Sequence, residues 1–267
     1  MINYNMSKFD IELLGRHGAN NSNRAMVLNS FYLYTDKNEQ SVGQWLSQTG
    51  YWESWITSWM TKNIKQGNVC IDIGSNYGYY TLLMQSLVGK DGGVYSFEAN
   101  PELCDLVAKS IAEAPEDYGQ AVLYNVAVWN EKTELELDIP SKYIGASTLV
   151  YGSDLPSNID AAEWDNKITV KADKIDNIID PQKIDLIKID IEGAEPQAWE
   201  GMKEILKHTD IVIIEIGRWS PQEFLDKIYD EWDVTYVTES AEEQPLYRDV
   251  VPNLPDLVMA VLRKKNA

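Results

Sequence analysis

The run IDIGSNYGYY, residues 71–80, puts a carboxylate at the end of an apolar segment and two glycines, Gly74 and Gly78, around a tight turn into a helix. Glycines at such a turn let a ligand come close to the backbone, as in the nucleotide sites of open α/β sheets. The spacing is not that of a dinucleotide site. G-x-G-x-x-G needs a glycine at position 76, where this chain has Asn76, and that glycine is the one that admits a pyrophosphate. A nucleoside without a pyrophosphate fits better. Glu98 lies 20 residues after Gly78, at the end of the next apolar run. A carboxylate there accepts hydrogen bonds from two ribose hydroxyls and excludes a 2′-phosphate. Asp72 adds negative charge that favours a cationic amine or sulfonium, although alone it is equally a turn cap.

A second cluster is IKIDIEGAEPQAW, residues 187–199. In a central parallel strand both faces are buried, so Lys188 must pair with a carboxylate or lose its charge. Asp190 has the same strand parity and stands at the carboxyl end, where open α/β sheets bind ligands. Glu192 follows in the loop. Glu195, early in the next helix, suits the helix dipole and reads as structural. Glu215 ends the neighbouring strand and is expected beside Asp190, where two carboxylates could bind Mg²⁺ or share acid–base work. His208 ends a helix and reads as a surface charge, and His17, in the N-terminal segment, remains as an outside base.

These residues need a sheet. From residue 69 on, short apolar runs alternate with helical patterns, the signature of βαβ units. Strands are expected at 69–73, 94–98, 121–126, 184–189, 210–216, 234–238 and 257–262. Helices are expected at 79–88, 101–114 with Asn100 as N-cap, 195–207 and 221–232. The last two strands leave no room for a helix between them, so they pair antiparallel at one edge. Residues 129–177 differ in texture and read as an inserted hairpin, around 133–139, plus an irregular loop overhanging the sheet. Tyr143, Tyr151 and Trp164 there could stack on a sugar, or simply pack. Residues 1–50 are polar and weakly patterned, an N-terminal extension or lid to a domain spanning 51–267. Tyr51, Trp52, Trp55 and Trp59 form an aromatic stripe at helical spacing, which reads as core packing before it reads as a stacking platform.

The composition bounds the function. The 267 residues include 23 Lys and Arg against 42 Asp and Glu, a formal charge of −19. Such a chain repels phosphate, so no nucleic-acid partner and no anionic membrane surface is expected. Cys70 and Cys104 form no metal or disulfide motif, and no stretch reads as a signal peptide or membrane span. A soluble, cytoplasmic protein is expected.

Together IDIGSNYGYYTLL, FEANPE, YNVAV, KADKIDNII and LIKIDIEGAEPQAWEGM resemble the FkbM family of S-adenosylmethionine-dependent methyltransferases, over roughly residues 50–217. The resemblance implies the class I methyltransferase Rossmann-like fold, a seven-stranded, mostly parallel sheet of order 3-2-1-4-5-7-6 with one antiparallel strand. By position it implies that Asp72, Gly74, Ser75, Asn76 and Gly78 form the cofactor loop and that Glu98 and Ala99 lie at the ribose. Asn125, Val126 and Ala127 would flank the adenine, and Glu53, in GYWE, would face the cofactor. Asp190 and Glu192 would stand at the reaction end, with Lys188 holding Asp190. The function so implied is O-methylation of a hydroxyl, on a sugar or other small acceptor. An NAD-dependent oxidoreductase and a non-catalytic cofactor-binding protein are the rivals.

Overall fold

The computed structural model describes residues 22–149, 164, 166–180 and 183–265. At its centre is β3 (Val69–Ile73), flanked by β4 (Gly93–Glu98) and β9 (Ile184–Ile189), all parallel. β5 (Gln120–Asn125) continues the sheet beyond β4, and β10 (Thr209–Ile216) continues it beyond β9. β13 (Val258–Lys264) runs antiparallel to both β10 and β11 (Trp232–Val237). Counting these seven in chain order, they lie 3-2-1-4-5-7-6 across the sheet. One strand exceeds the expected seven. β12 (Glu243–Pro245) pairs outside β11, where Glu243 accepts from Arg263 at 2.6 and 2.8 Å and from Trp59 Nε1 at 2.8 Å.

The long central strands are β-branched and aliphatic because helices cover both faces. On one face lie α2 (Ser54–Asn63), α3 (Tyr79–Val88) and α4 (Pro101–Ala112), whose Ile56, Leu83 and Leu103 share a core with Cys70, Leu186 and Ile213. On the other, α5 (Glu195–Glu200), α6 (Lys203–Lys207) and α7 (Gln222–Glu231) bury Trp199, Ile205 and Leu225 against Ile71, Ile187 and Ile214. Asn100 caps α4 as expected, its side chain accepting from Glu102 N at 2.9 Å. The single helix expected over 195–207 is divided. Gly201 lies so close to the Trp129 carbonyl that a Cβ would sit 1.9 Å from it, and Asp176 accepts from Glu204 N and Ile205 N to start α6 anew.

Residues 22–50 are more ordered than their sequence pattern suggested. β1 (Ser22–Val27) and β2 (Phe31–Asp36) form a hairpin, followed by α1 (Val42–Thr49). Alternation in β2 buries Phe31, Leu33 and Thr35, and Leu46 of α1 joins the same core as α3. The inserted region is a three-stranded sheet: β7 (Thr133–Ile139) pairs antiparallel with β8 (Asn166–Asp173), and β6 (Ala127–Val128) is parallel to β8. Trp59 is buried, Trp52 and Trp55 pack partly against the core, and Tyr51 is exposed, so the aromatic stripe is mostly packing. No described helix is long and apolar enough to cross a membrane.

Candidate active site

Where β3 ends, Gly74 turns the chain at φ +81°, and its N–H and that of Ser75 donate to the Phe97 carbonyl at 3.0 and 3.1 Å. A Cβ at Gly74 would lie 2.0 Å from the Asp190 carbonyl oxygen. This glycine is therefore required by the loop after β9. Gly78, at φ +82°, similarly makes room for Val107 of α4. Between them Asn76 takes φ +52° and donates its N–H to Glu98 Oε2 at 2.8 Å. The turn opens onto a cleft that is partly open to solvent.

Glu98 lies on the β4 side of the turn. Its Oε1 accepts from Asn100 N at 2.9 Å and its Oε2 from Asn76 N, which fixes the carboxylate and leaves each oxygen an unused lone pair. Burial raises its pKa to about 7 against the opposing pull of these backbone N–H groups. Ser75 Oγ and Asn76 Oδ1, both in cleft-lining residues, are buried without a hydrogen-bond partner. A ligand with adjacent hydroxyls and further polar atoms completes this set. Ala99, Val126 and Ala127, with Phe97 and Val128, supply the apolar wall. Asn125 is adjacent but does not line the cleft; its Nδ2 donates to the carbonyls of Glu98 and Ala99, each at 3.0 Å, and shapes the loop into α4.

Asp190 stands on the β9 side. Lys188 Nζ is 3.1 Å from Asp190 Oδ2 and 3.8 Å from Asp72 Oδ1, and it lies 4.9 Å from the Tyr80 ring centroid. Burial is the largest influence on Lys188 and lowers its pKa, yet Asp190, Asp72 and Glu53 outweigh it and keep the ammonium charged. Asp72 has no exposed surface, and Thr81 Oγ1 donates to its Oδ2 at 2.6 Å. It does not line the cleft: Thr81 of α3 holds one of its oxygens and Lys188 faces the other. Gly78 and Glu53 also lie outside the cleft lining. Glu53, at φ +35° before α2, accepts from Tyr80 OH at 2.5 Å, and burial followed by Asp190 raises its pKa.

Glu192 adopts φ +55°, and its carbonyl accepts from Thr148 Oγ1 at 2.7 Å. Burial and then Asp190 and Glu195 push its carboxyl up to about 8. Glu195 is structural as expected, since its Oε1 accepts from Ile191 N at 3.0 Å and Gly193 N at 3.4 Å. Glu215 follows Ile214, which pairs with Ile189, so it stands in register with Asp190 as expected, but it does not line the cleft; burial and then Asp190 raise its pKa well above the ordinary range. Among the described residues no group of three His, Cys, Asp or Glu side chains is placed to hold a metal ion. His208 ends α6 and does not line the cleft, and His17 and Tyr151 lie outside the described residues.

Several lining residues were missed by sequence reading. Trp52 belongs to the stripe that reads first as core packing, and Tyr79, Tyr80, Val42 and Ile144 carry no site signal of their own. The segment after β7 crosses the opening: Gly145, Ser147 and Leu149 line it, Asn76 Nδ2 meets the Gly145 carbonyl at 3.5 Å, and Gln40 N donates to the Lys142 carbonyl at 2.8 Å. Tyr143 and Trp164 are not among the lining residues.

The model of the methyltransferase FkbM domain matches residues 72–245 of the sequence. No curated protein matches it. Solved structures with a similar fold include an FkbM methyltransferase from Methylobacillus flagellatus, 12% identical over 75% of this chain and 44% of that one, with a TM-score of 0.42. An S-adenosylmethionine-dependent O-methyltransferase from Thermotoga maritima is 12% identical over 81% of this chain and 67% of that one, with a TM-score of 0.44. An rRNA methylase from Streptococcus thermophilus is 11% identical over 79% of this chain and 95% of that one, with a TM-score of 0.45.

Proposed function

Because the chain belongs to the FkbM family of S-adenosylmethionine-dependent methyltransferases, we propose that it methylates a hydroxyl group of a small molecule or glycan, most naturally on a sugar or polyol. The oxidoreductase and non-catalytic alternatives fall with the family assignment. The observation that carries the proposal is Asp190, fixed by Lys188 at 3.1 Å and facing the cleft on the opposite side of β3 from Glu98.

The residues present fit S-adenosylmethionine: Glu98 has two free lone pairs for ribose hydroxyls, Ser75 and Asn76 have unpartnered polar atoms, and Ala99, Val126 and Ala127 offer an apolar wall for the adenine. Asn125, Gly74 and Gly78 hold that wall and turn in shape. When bound, the cofactor supplies an electrophilic methyl group on a sulfonium, so the protein's remaining work is alignment and proton removal. Asp190 is the group to accept the acceptor's hydroxyl proton, and Lys188 orients it and stabilises its charge. Glu192, held at about 8, can exchange a proton near neutral pH beside it. Asp72 and Glu53 act through Lys188 and Tyr80 as positioning groups. Residues 139–149 and 40–42, at the cleft mouth, are proposed to select the acceptor.

The charge of −19 and the carboxylates at the reaction end favour a small neutral or cationic acceptor over nucleic acid, and a cytoplasmic setting accords with this reading. The test is incubation of the protein and isotopically labelled S-adenosylmethionine with metabolite and glycan extracts, followed by mass spectrometry. A gain of one methyl on a hydroxyl is expected. Labelling confined to nitrogen, carbon or RNA would remove the O-methylation reading.

A further inference from the structure

The carboxyl edge of the sheet extends past the cleft on the β10 side. There Gly217 and Ser220 close a four-residue turn from both ends: Ser220 N donates to the Gly217 carbonyl at 2.9 Å, and Gly217 N donates to Ser220 Oγ at 3.1 Å. Leu257, from the segment entering β13, packs over Gly217, where a Cβ would come within 2.8 Å of its Cδ2. The two central positions of this braced turn belong to Arg218 and Trp219, both exposed. Trp219 keeps 44% of its surface exposed although the Arg218 guanidinium lies 4.2 Å from its ring centroid.

Arg218 is the exception among the described arginines. Arg24, Arg248 and Arg263 are paired with Glu113, Asp226 and Glu243, whereas Arg218 has no hydrogen bond or ion pair among the described residues. In a chain with 42 Asp and Glu against 23 Lys and Arg, a guanidinium without a carboxylate keeps its N–H donors available to a ligand. An indole with such a donor-rich plane beside it suits a pyranose, whose C–H face stacks on an aromatic ring while its hydroxyls and ring oxygen accept hydrogen bonds. The place fits as well. Glu215 is level with Asp190 and the turn starts two residues beyond it, so strand spacing and rise put the turn on the order of 10 Å from Asp190. That is the scale of a disaccharide rather than of a single ring. Neither Arg218 nor Trp219 lines the cleft, so the ring they meet is not the one being methylated.

We propose that the Gly217–Ser220 turn is an outer sugar subsite, in which Trp219 stacks on, and Arg218 donates to, the unit next to the one methylated at Asp190. The inference rests on the hydroxyl-methylation reading and narrows its acceptor to a glycan of linked sugars. Leu257, itself 38% exposed, adds apolar contact beside the stacked ring.

The experiment compares methyl transfer from saturating labelled S-adenosylmethionine to methyl glycosides of hexoses, 6-deoxyhexoses and pentoses with transfer to disaccharides and trisaccharides of the same units. The wild type is expected to favour the linked sugars by about tenfold or more in kcat/KM, carried by KM. Trp219→Ala is expected to bring that ratio close to one, Trp219→Tyr to keep most of it, and Arg218→Ala to lower it about threefold, with the affinity for S-adenosylhomocysteine within about twofold of the wild type in each. Equal use of single and linked sugars by the wild type, or a ratio that Trp219→Ala leaves unmoved, would overturn the subsite and keep sugar methylation. A preference confined to uronate-bearing glycans, removed by Arg218→Ala and not by Trp219→Ala, would make the turn a charge contact and overturn the stacking. Methylation of hydroxyls on non-sugar molecules alone would overturn the subsite and keep hydroxyl methylation, whereas labelling confined to nitrogen, carbon or RNA would overturn both.

Discussion

Cofactor affinity is expected to weaken in acid, and Glu98 sets the size of the effect. In the free protein burial holds this carboxyl at about 7, while Asn76 and Asn100 donate to its two oxygens. Two ribose hydroxyls donating to the remaining lone pairs act only on the ionised form, each contributing on the order of 1.5–3 kcal/mol. One pKa unit corresponds to about 1.4 kcal/mol, so binding depresses the pKa by roughly two units or more. At pH 5.5 only about one free molecule in thirty has Glu98 ionised, against about three in four at pH 7.5. The dissociation constant for S-adenosylhomocysteine, which lacks the sulfonium charge, should therefore rise about 20-fold between these pH values in calorimetry. Glu98→Gln should bind more weakly at pH 7.5 and lose most of the slope. A flat wild-type profile, or the same slope in Glu98→Gln, would refute the assignment of Glu98 to the ribose.

Other outcomes follow from the buried charges and the turn. Lys188→Met leaves Asp72, without exposed surface, facing no counter-charge, and should cost about 3–5 kcal/mol in urea unfolding. Asp72→Asn in the same chain should recover most of that loss, and a fully stable Lys188→Met protein would contradict the pairing. Gly74→Ala forces a Cβ to within 2.0 Å of the Asp190 carbonyl at φ +81°, so a thermal melt should show a loss of at least about 1–3 kcal/mol; an unchanged melting temperature would mean the turn yields freely. Glu98 and Glu195 at about 7 and Glu192 at about 8 are raised above their unfolded values. Their contribution to stability is complete below the unfolded carboxylate pKa and is lost as pH rises through 7 and 8. Urea midpoints of the free protein should fall from pH 5.5 to pH 8.5, and a rising midpoint would contradict these directions.

The site was legible where chemistry and strand parity coincide. Alternation alone put Lys188 and Asp190 on one side of β9, and they are 3.1 Å apart. The spacing of Gly74, Gly78 and Glu98 located the turn and the carboxylate that its backbone grips. Asp72 shares this parity, but its burial depends on how α3 lies over the strand end, which only tertiary packing decides. The division at Gly201 is likewise non-local, since it comes from the Trp129 carbonyl, 72 positions earlier in the chain. Tyr80 gave no signal because an aromatic residue on a buried helix reads the same whether it lines a cleft or fills a core, and Trp52, just before α2, sits in a stripe for which packing was the first reading. The β1–β2 hairpin was obscured by its polar outer face, and β12 by its three-residue length.

Asp190→Asn, assayed with the hydroxyl acceptor found in extracts, tests the central claim most directly. The substitution keeps the shape and removes the proton acceptor. Transfer from labelled S-adenosylmethionine is predicted to slow by about 100-fold or more in kcat while cofactor affinity stays near that of the wild type. Wild-type turnover in Asp190→Asn would contradict the account and place proton removal elsewhere.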